Sequence, residues 1–490
     1  TDDILSSISF KSDVFLSINE DILSNIRFNI YFFYYLKFIL DHLLKKYDSY
    51  MIVLEHGNFT VSNYLSNFIY CFKNYSSKIL FEGNFNYSSK KINFYSYTFY
   101  SKINFNQKSV LLNNLGYNFK RLLFYFKLNG FQIFYVDNQK NFFVNLMNKF
   151  SFLKSINFKQ SLIKNNKINE LQIDFQKIDD EFLKIFLKNN YNKLNNKLIN
   201  DHNYCKSFEK FITQIPNIKF MISNINKGKD GILSQISKKM NSKSIIISHG
   251  TLVSSFDQYD KIYKRIIANQ VFSKEFDYAF SQSKLSDLFF NEYNAKNHYI
   301  SGNILFSYQG KIKIHKKNQL RILYAVTQKN INNIQVYGCE MYYEFLDNLK
   351  FLNTIALDKS LKIFIKLHPS IIDNAHSLSK IYSNLIFVNR KIHLILKNID
   401  ITCSFSSSVI EDSLNMKIPV VLLDRWKRYR HTISQNFPYI ENHPILYAND
   451  KKQFLLALEI AKKINQFDFD KCIYSSHYYK NIKKSISKIV

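Results

Sequence analysis

The chain has 490 residues, of which 46% are hydrophobic, 17% aromatic and 21% charged. This length exceeds one compact core and implies two domains or one with a large insertion; the aromatic content and only 10 Gly and 5 Pro exclude a disordered, collagen-like or low-complexity chain. The 67 Lys and Arg against 38 Asp and Glu give a net charge of +29, which suits nucleic acid, an anionic membrane surface or a polyanionic substrate; the abundance of Lys, Asn, Ile, Phe and Tyr is equally what an AT-rich coding sequence yields.

In chain order, residues 1–19 lack the basic start and apolar run of a secretory signal. The most apolar stretch, 30–44, is interrupted by Lys37, Asp41 and His42. It is too short and too charged to span a bilayer and reads as a buried amphipathic helix. A cytoplasmic protein is expected, with a peripheral position on the inner membrane face as the sharper alternative. The five cysteines (Cys71, Cys205, Cys339, Cys403, Cys472) form no CxxC pair. That argues against a zinc ribbon or disulfide framework and suits a reducing compartment.

Short apolar runs then recur between helix-length amphipathic stretches. They are 51–55 (MIVLE), 78–81, 131–136 (FQIFYV), 219–223, 244–248 (SIIIS), 277–281 and 298–301. After a polar, basic stretch at 309–318 the series restarts with 320–326 (LRILYAV), 362–367 (KIFIKL), 384–388, 400–404 (DITCS), 418–424 (IPVVLLD) and 444–448. Runs that are apolar throughout predict strands buried on both faces, and their alternation with helices predicts parallel sheets built from βαβ units. The expected fold is therefore α/β, with two doubly wound, Rossmann-like domains facing a cleft. The expected domains are 1–308, carrying a helical insertion at about 141–203 where Lys and Asn abound, and 319–470. A terminal basic helix follows at 471–490, with five Lys and no acid.

Ligands of doubly wound sheets bind at the carboxyl ends of the strands, near the point where strand order reverses. Residues just after strands are thus the informative ones. Ser248-His249-Gly250-Thr251 follows SIIIS. Gly250 permits a tight turn, and His249 has a near-neutral pKa suited to taking a proton from a hydroxyl; a loop histidine held by hydrogen bonds has the same signature. Glu55-His56-Gly57 also follows a strand and places His56, with Gly250, on the acceptor side of the cleft by the same logic.

Lys366-Leu367-His368-Pro369 ends another strand. Pro369 stops the ladder and stiffens the turn, and the imidazole of His368 can donate to a phosphate oxygen; Lys366 is either part of that site or a solvated strand-end charge. In 402–421, a strand runs into Ser406, Ser407 and Ser408, and a helix follows with Asp412 in its first turns. Hydroxyls and free backbone N–H groups at a helix start favour an anion, and Asp412 can accept from ribose hydroxyls. An ordinary capped helix is the competing reading.

Taken together, these three motifs resemble the GT-B glycosyltransferases and related transferases of bacterial surface polysaccharide synthesis. The similar patterns are those of CDP-glycerol glycerophosphotransferases and of the Kdo and sialic acid transferases of capsule and lipooligosaccharide synthesis. Those families carry a pattern like S-S-V-x-x-E-A-L-x-x-G-x-P-V; here 407–420 reads SSVIEDSLNMKIPV, with Asp412 at the acidic position and Lys417 in place of the usual Gly. Gly302-Asn303 after YIS is similar to the family's G-x-P hinge element, and Tyr324-Ala325-Val326-Thr327 resembles its Y-A-P-T strand end, with Val326 for Pro. The resemblance covers about 219–448.

It implies a transferase moving a sugar from a nucleotide-activated donor, CMP or CDP before UDP, to a capsule, lipopolysaccharide or teichoic-type glycan or its lipid-linked form. Inversion without a metal or a further cofactor is implied as well. His249 would be the general base; His368, Pro369, Ser406, Ser407, Ser408, Thr327 and Lys366 would hold the donor phosphates; Asp412 would bind ribose; and Gly302 and Asn303 would complete the donor side. Arg425, Lys427, Arg428, Arg430 and His431 would neutralise the leaving nucleotide, or form a solvated basic loop. Asp468-Phe469-Asp470 matches a metal-binding DxD pattern but lies off any expected strand. A nucleotide-sugar 2-epimerase of the same architecture would need cleft acids, for which Glu55 and Asp257 are the nearest. A nucleic-acid-binding or scaffold protein rests on charge alone, since no DNA- or RNA-binding motif is present.

Overall fold

The computed structural model describes residues 8–10, 50–53, 79–82, 91–99, 106–112, 120–137, 153–164, 171–179, 181–224, 228–247, 253–271, 276–295, 297–306, 319–327, 340–358, 360–440, 442–474 and 478–489, together with Leu23, Ile26, Asn226 and Gly338. The stretch 30–44 and the expected domain boundary at 309–318 lie outside the described residues. The chain divides into two compact units, one of Thr1–Asn114 and Gln132–Ser244, the other of Leu115–Phe131 and Ile245–Val490.

In the first unit, β1 (Ile8–Phe10) pairs antiparallel with β8 (Leu171–Ile173), and β2 (Tyr50–Val53) pairs in parallel with β3 (Ile79–Glu82). A larger sheet runs from β9 (Ile218–Ser223) through β5 (Ser109–Leu112), β6 (Gln132–Asp137) and β7 (Leu153–Lys164) to β4 (Lys91–Phe99). Its pairs are parallel except for the outermost, β4 with β7. Helices Glu181–Ile212 and Gly228–Lys239 accompany it. Among its described residues, the segment expected to be a helical insertion is α-helical only from Glu181 onward; before that it holds the twelve-residue β7. In LKSINFKQSLIK apolar and polar residues alternate only over Ser155–Lys159, too short a signal to mark a strand among so many Lys, Asn and Ser.

The boundary between the units falls within β10 (Lys243–Ile246); in the second unit, after the helix Lys120–Leu128, Ile245 and Ile246 of β10 pair in parallel with β11 (Tyr278–Ser281), which pairs in parallel with β12 (His298–Ile300). A separate six-stranded parallel sheet follows, with spatial order β15 (Ile386–Phe387), β14 (Leu361–Lys366), β13 (Leu320–Ala325), β16 (Ile401–Ser404), β17 (Val420–Leu423), β18 (Ile445–Ala448). In chain order this is 3-2-1-4-5-6, the doubly wound dinucleotide-fold order, with its reversal between β13 and β16.

Both faces of this sheet are covered. Ile322 and Tyr324 point into a cluster with Phe345 and Leu349 of the helix Tyr342–Ile355 and with Phe454 and Leu458 of Lys451–Ala461. Leu323, between them, points the other way, toward Ile395, Leu396 and Met416. β16 and β17 are buried along their whole length, which is why their sequences are apolar without alternation. The α/β expectation holds, and in this sheet the expected strands appear within two residues of their bounds.

The C-terminal helix, Tyr478–Ile489, buries Ile482, Ser485, Ile486 and Ile489 and exposes Lys480, Lys483, Lys484 and Lys488, the spacing of one apolar stripe and one basic face. Ser485 Oγ donates to the Ile300 carbonyl at the end of β12, 2.6 Å away. Gly302, at φ +67°, lies so close to this helix that a Cβ would come within 2.6 Å of Asn481 Nδ2. Among the described residues no helix is long and apolar enough to cross a membrane.

Candidate functional site

The register of the six-stranded sheet aligns the residues that follow its strands. Ala325 is opposite both Lys366 and Ser404, and Ser404 is opposite Leu422. Two residues beyond that line stand His368, Thr327, Ser406 and Asp424, in the spatial order β14, β13, β16, β17. Thr327 and Ser406 flank the reversal point, and Ser404 Oγ spans it by donating to the Ala325 carbonyl at 2.7 Å.

His368 precedes Pro369 and is extended, with φ −62° and ψ 143°, as a residue before proline tends to be. It caps the short 3-10 helix Pro369–Asn374: its Nδ1 accepts from Ser370 N at 3.2 Å and meets Ser370 Oγ at 2.7 Å. An Nδ1 that accepts places the ring proton on Nε2. Lys366 is half-buried, and desolvation lowers its pKa.

The three serines divide their work. Ser406 Oγ donates to the Gly338 carbonyl, fastening the chain after β13 to the chain after β16. Ser407 N donates to Ser404 Oγ at 3.1 Å, and Ser407 Oγ accepts from Val409 N at 3.3 Å. Ser408 is exposed and makes no side-chain cap bond to the helix Val409–Asn415. Asp412 lies one turn into that helix and is half-buried, whereas its neighbour Glu411 is 1% exposed.

Thr327 is buried and turned inward. Its N–H and Oγ1 both donate to Glu340 Oε2, at 2.7 and 3.1 Å. The Tyr324 hydroxyl donates to Glu340 Oε1, and Asn348 Nδ2 donates to the same oxygen at 3.0 Å. Burial first, and then the Glu340 charge, push the Tyr324 hydroxyl far above its ordinary pKa. Sequence reasoning did not find Glu340, which stands alone in its stretch without a motif.

Asn303 Oδ1 accepts from Arg121 Nη1 at 3.0 Å and from Phe306 N at 2.9 Å, so Gly302 and Asn303 form a buried turn pinned by Arg121. His249, Gly250 and His56 lie outside the described residues, as does Glu55. Asp257 Oδ1 accepts from Asp260 N at 2.8 Å near the start of the helix Gln258–Val271. Asp468 Oδ2 accepts from Asn465 N at 2.9 Å in a capping box, and Asp470 lies 3.6 Å from Lys417 Nζ.

The basic loop after β17 is ordered by Asp424, whose carboxylate accepts from Arg428 N, Tyr429 N and the Tyr447 hydroxyl at 3.0 to 3.1 Å. Arg428 pairs with the buried Glu344 at 2.6 Å, and Arg425 lies 4.7 Å over the Phe351 ring. His431 is buried; burial first, then the nearby Lys264 charge, push it down to about 3, so it is neutral. Its carbonyl accepts from Lys264 Nζ at 2.8 Å, and Lys264 is itself paired with Asp260 at 2.7 Å. A cavity of about 380 Å³ opens beside this loop. Four of the five basic residues thus have structural roles: His431 is a core residue, and Arg425, Arg428 and Arg430 are each stacked on an aromatic ring, while Lys427 is exposed.

No protein-family model and no curated protein sequence matches the chain. Among solved structures it is similar to S. aureus MnaA with UDP (9% identity, 78% of this chain and 96% of that one, TM-score 0.44). It is also similar to the calicheamicin glycosyltransferase CalG4 (10%, 78% and 95%, 0.41) and to the wall teichoic acid polymerase TagF (14%, 77% and 84%, 0.36). Similarity at this level fixes neither a family nor a substrate.

Proposed function

We propose that the chain is a glycosyltransferase that moves a sugar from a nucleotide-activated donor, a cytidine nucleotide before a uridine one, to a surface glycan or its lipid-linked precursor. The observation that carries this reading is the single register line on which His368, Thr327 and Ser406 follow β14, β13 and β16. A doubly wound sheet presents such residues to a ligand at its reversal point. In this reading His368 donates from Nε2 to a phosphate oxygen, assisted by Ser407, Ser408 and Lys366, and Asp412 accepts from ribose hydroxyls. Ser406 and Thr327 hold the two loops in place. Donors fixed before the reaction stabilise the charge that develops on the departing nucleotide without reorganising. His249 takes the proton of the acceptor hydroxyl as its oxygen attacks the anomeric carbon and the bond to the nucleotide phosphate breaks, with inversion and without a metal. A peripheral place on an anionic membrane surface fits the basic face of the C-terminal helix, and no nucleic acid is involved.

The test is a thermal-shift panel with CMP, CDP, UDP and GDP on wild type and His368→Ala. A nucleotide at 100 times its dissociation constant stabilises by about 2.7 kcal/mol. Stabilisation by one base type, lost in the variant, supports the reading; no shift with any nucleotide sinks it. Product analysis then separates transfer from a 2-epimerase, which would return an epimerised nucleotide-sugar with no glycan extended.

A further inference from the structure

We propose that the cavity beyond β17 and β18 is a subsite for the acidic group, carboxylate or phosphate, of a sugar unit, and that Arg430 is the residue that reads it. The inference rests on the transferase reading for the sugar, and on Arg430 itself for the anion.

Arg430 is only 8% exposed and forms part of the cavity wall. Its guanidinium is clamped between two rings, 4.2 Å from the Phe256 centroid and 4.4 Å from that of Tyr447. Nε donates to Ser434 Oγ at 2.9 Å, and Nη2 donates to the Ser434 carbonyl at 3.3 Å and to Asn436 Oδ1. These bonds lock the fork in one orientation. Nη1 has no acceptor among the described residues, and no carboxylate comes within ion-pair distance of the group there.

The acids near it are committed elsewhere. Glu344 pairs with Arg428, both oxygens of Asp424 accept from the loop and from Tyr447, and Asp257 accepts from Asp260 N. A cation removed from water without a contact anion is unfavourable unless a ligand supplies one. A rigid guanidinium with one end open is suited to an oxyanion. Lys427, exposed on the same wall, adds a second positive charge, and Phe437 adds an apolar surface for a sugar ring. At about 4.8 Å per strand, β17 stands about 14 Å from the His368 strand, so phosphates held at His368 and an acid held at Arg430 are separate groups.

The experiment is calorimetry on the full chain with glucuronate, glucose 6-phosphate and neutral glucose, and with CMP and UDP as a separate arm, for wild type, Arg430→Gln and Arg430→Lys. The expected result is that at least one acidic sugar binds wild type at least about tenfold more tightly than glucose. Arg430→Gln should weaken it about 10- to 100-fold, as for loss of a hydrogen bond to a charged group, with nucleotide affinity unchanged. Preference for glucuronate or for glucose 6-phosphate then names the carboxylate or the phosphate. If Arg430→Gln does not fold, Arg430→Lys decides: it keeps the charge and the stem, loses the fork, and should still bind the acid more weakly. Equal binding of acidic and neutral sugars overturns the proposal, as does acid binding indifferent to both variants. So does a nucleotide loss as large as the acid loss, which would put Arg430 in the nucleotide pocket. Acid binding without nucleotide binding would support the subsite while defeating the transferase reading.

Discussion

Two buried glutamates, Glu340 and Glu411, show how differently the same side chain serves two regions of the second unit. They are 3% and 1% exposed. Glu340 is surrounded by donors: Thr327 N and Oγ1 on one oxygen, Asn348 Nδ2 and the Tyr324 hydroxyl on the other. Among the described residues Glu411 has one, Ser283 Oγ at 3.0 Å, and its Oε2 has none. Burial pushes the Glu411 carboxyl up to about 8, with the Asp412 charge adding to the shift and the Ser283 hydrogen bond opposing it. Glu411 is therefore protonated at neutral pH. Equal burial gives an anchor where donors are supplied and a neutral acid where they are not.

The largest effect expected from this contrast is at Glu340. Glu340→Ala leaves four buried donors without their acceptor and should cost about 3–5 kcal/mol in denaturant unfolding. A loss below about 1 kcal/mol would mean that the Glu340 cluster anchors nothing.

The pH dependence comes next. Between its ordinary value of 4.5 and about 8, Glu411 ionises in the unfolded chain but stays protonated in the folded one, so stability falls as pH rises across that window. His431, depressed from 6.5 to about 3, acts oppositely: the unfolded chain takes up its proton first, and stability falls as pH drops below 6.5. The two slopes offset between about 4.5 and 6.5, which leaves the Glu411 decline clearest from 6.5 to 8. Glu411→Gln should abolish that decline, about 2 kcal/mol between pH 6.5 and 8; an unchanged slope in the variant would show that Glu411 ionises normally.

Ser283→Ala sharpens the comparison with a smaller effect. It removes the described hydrogen bond to Glu411 and also the N-cap of the helix Lys284–Glu292, should cost about 1–2 kcal/mol at pH 8, and should extend the decline to higher pH. The smallest effect lies at Lys417, which stands at φ +59° after the helix Val409–Asn415, a left-handed position that glycine occupies without strain. Lys417→Gly should stabilise by about 0.5–1 kcal/mol, provided the contacts of the Lys417 ammonium with Phe469 and Asp470 contribute less than the strain relieved. Thermal melts of the two proteins read the sign directly.

The six-stranded sheet was legible because its strands are short, largely apolar runs each ended within a few residues by a polar residue or proline, and the register could then be built on those ends. β5 was not: SVLL is four residues long, fully buried, and too short to separate strand from helix by periodicity. The candidate site was legible where it depends on local order, as at His368 before Pro369 and at Ser406–Ser408. It was illegible where partners lie far apart in the chain. Thr327, expected to line a phosphate pocket, directs both donors to Glu340, 13 residues on, and nothing local to either residue signals the pairing. The helix after Ser408 turns Asp412 partly outward and its neighbour Glu411 inward; a one-residue step of about 100° decides that, and only the packed structure fixes the phase. The departure at Lys417 carried a geometric message, since the position that a Gly would fill is the left-handed one.

The most direct test of the central claim, that the carboxyl edge of the six-stranded sheet holds a nucleotide, is hydrogen–deuterium exchange of the intact chain with and without the nucleotide that stabilises it most. The account predicts slowed exchange in the segments that follow β14 and β16, around 367–370 and 405–409, and little change at β5 and β9 of the first unit. Protection absent from both strand ends, or confined to other segments, would contradict it.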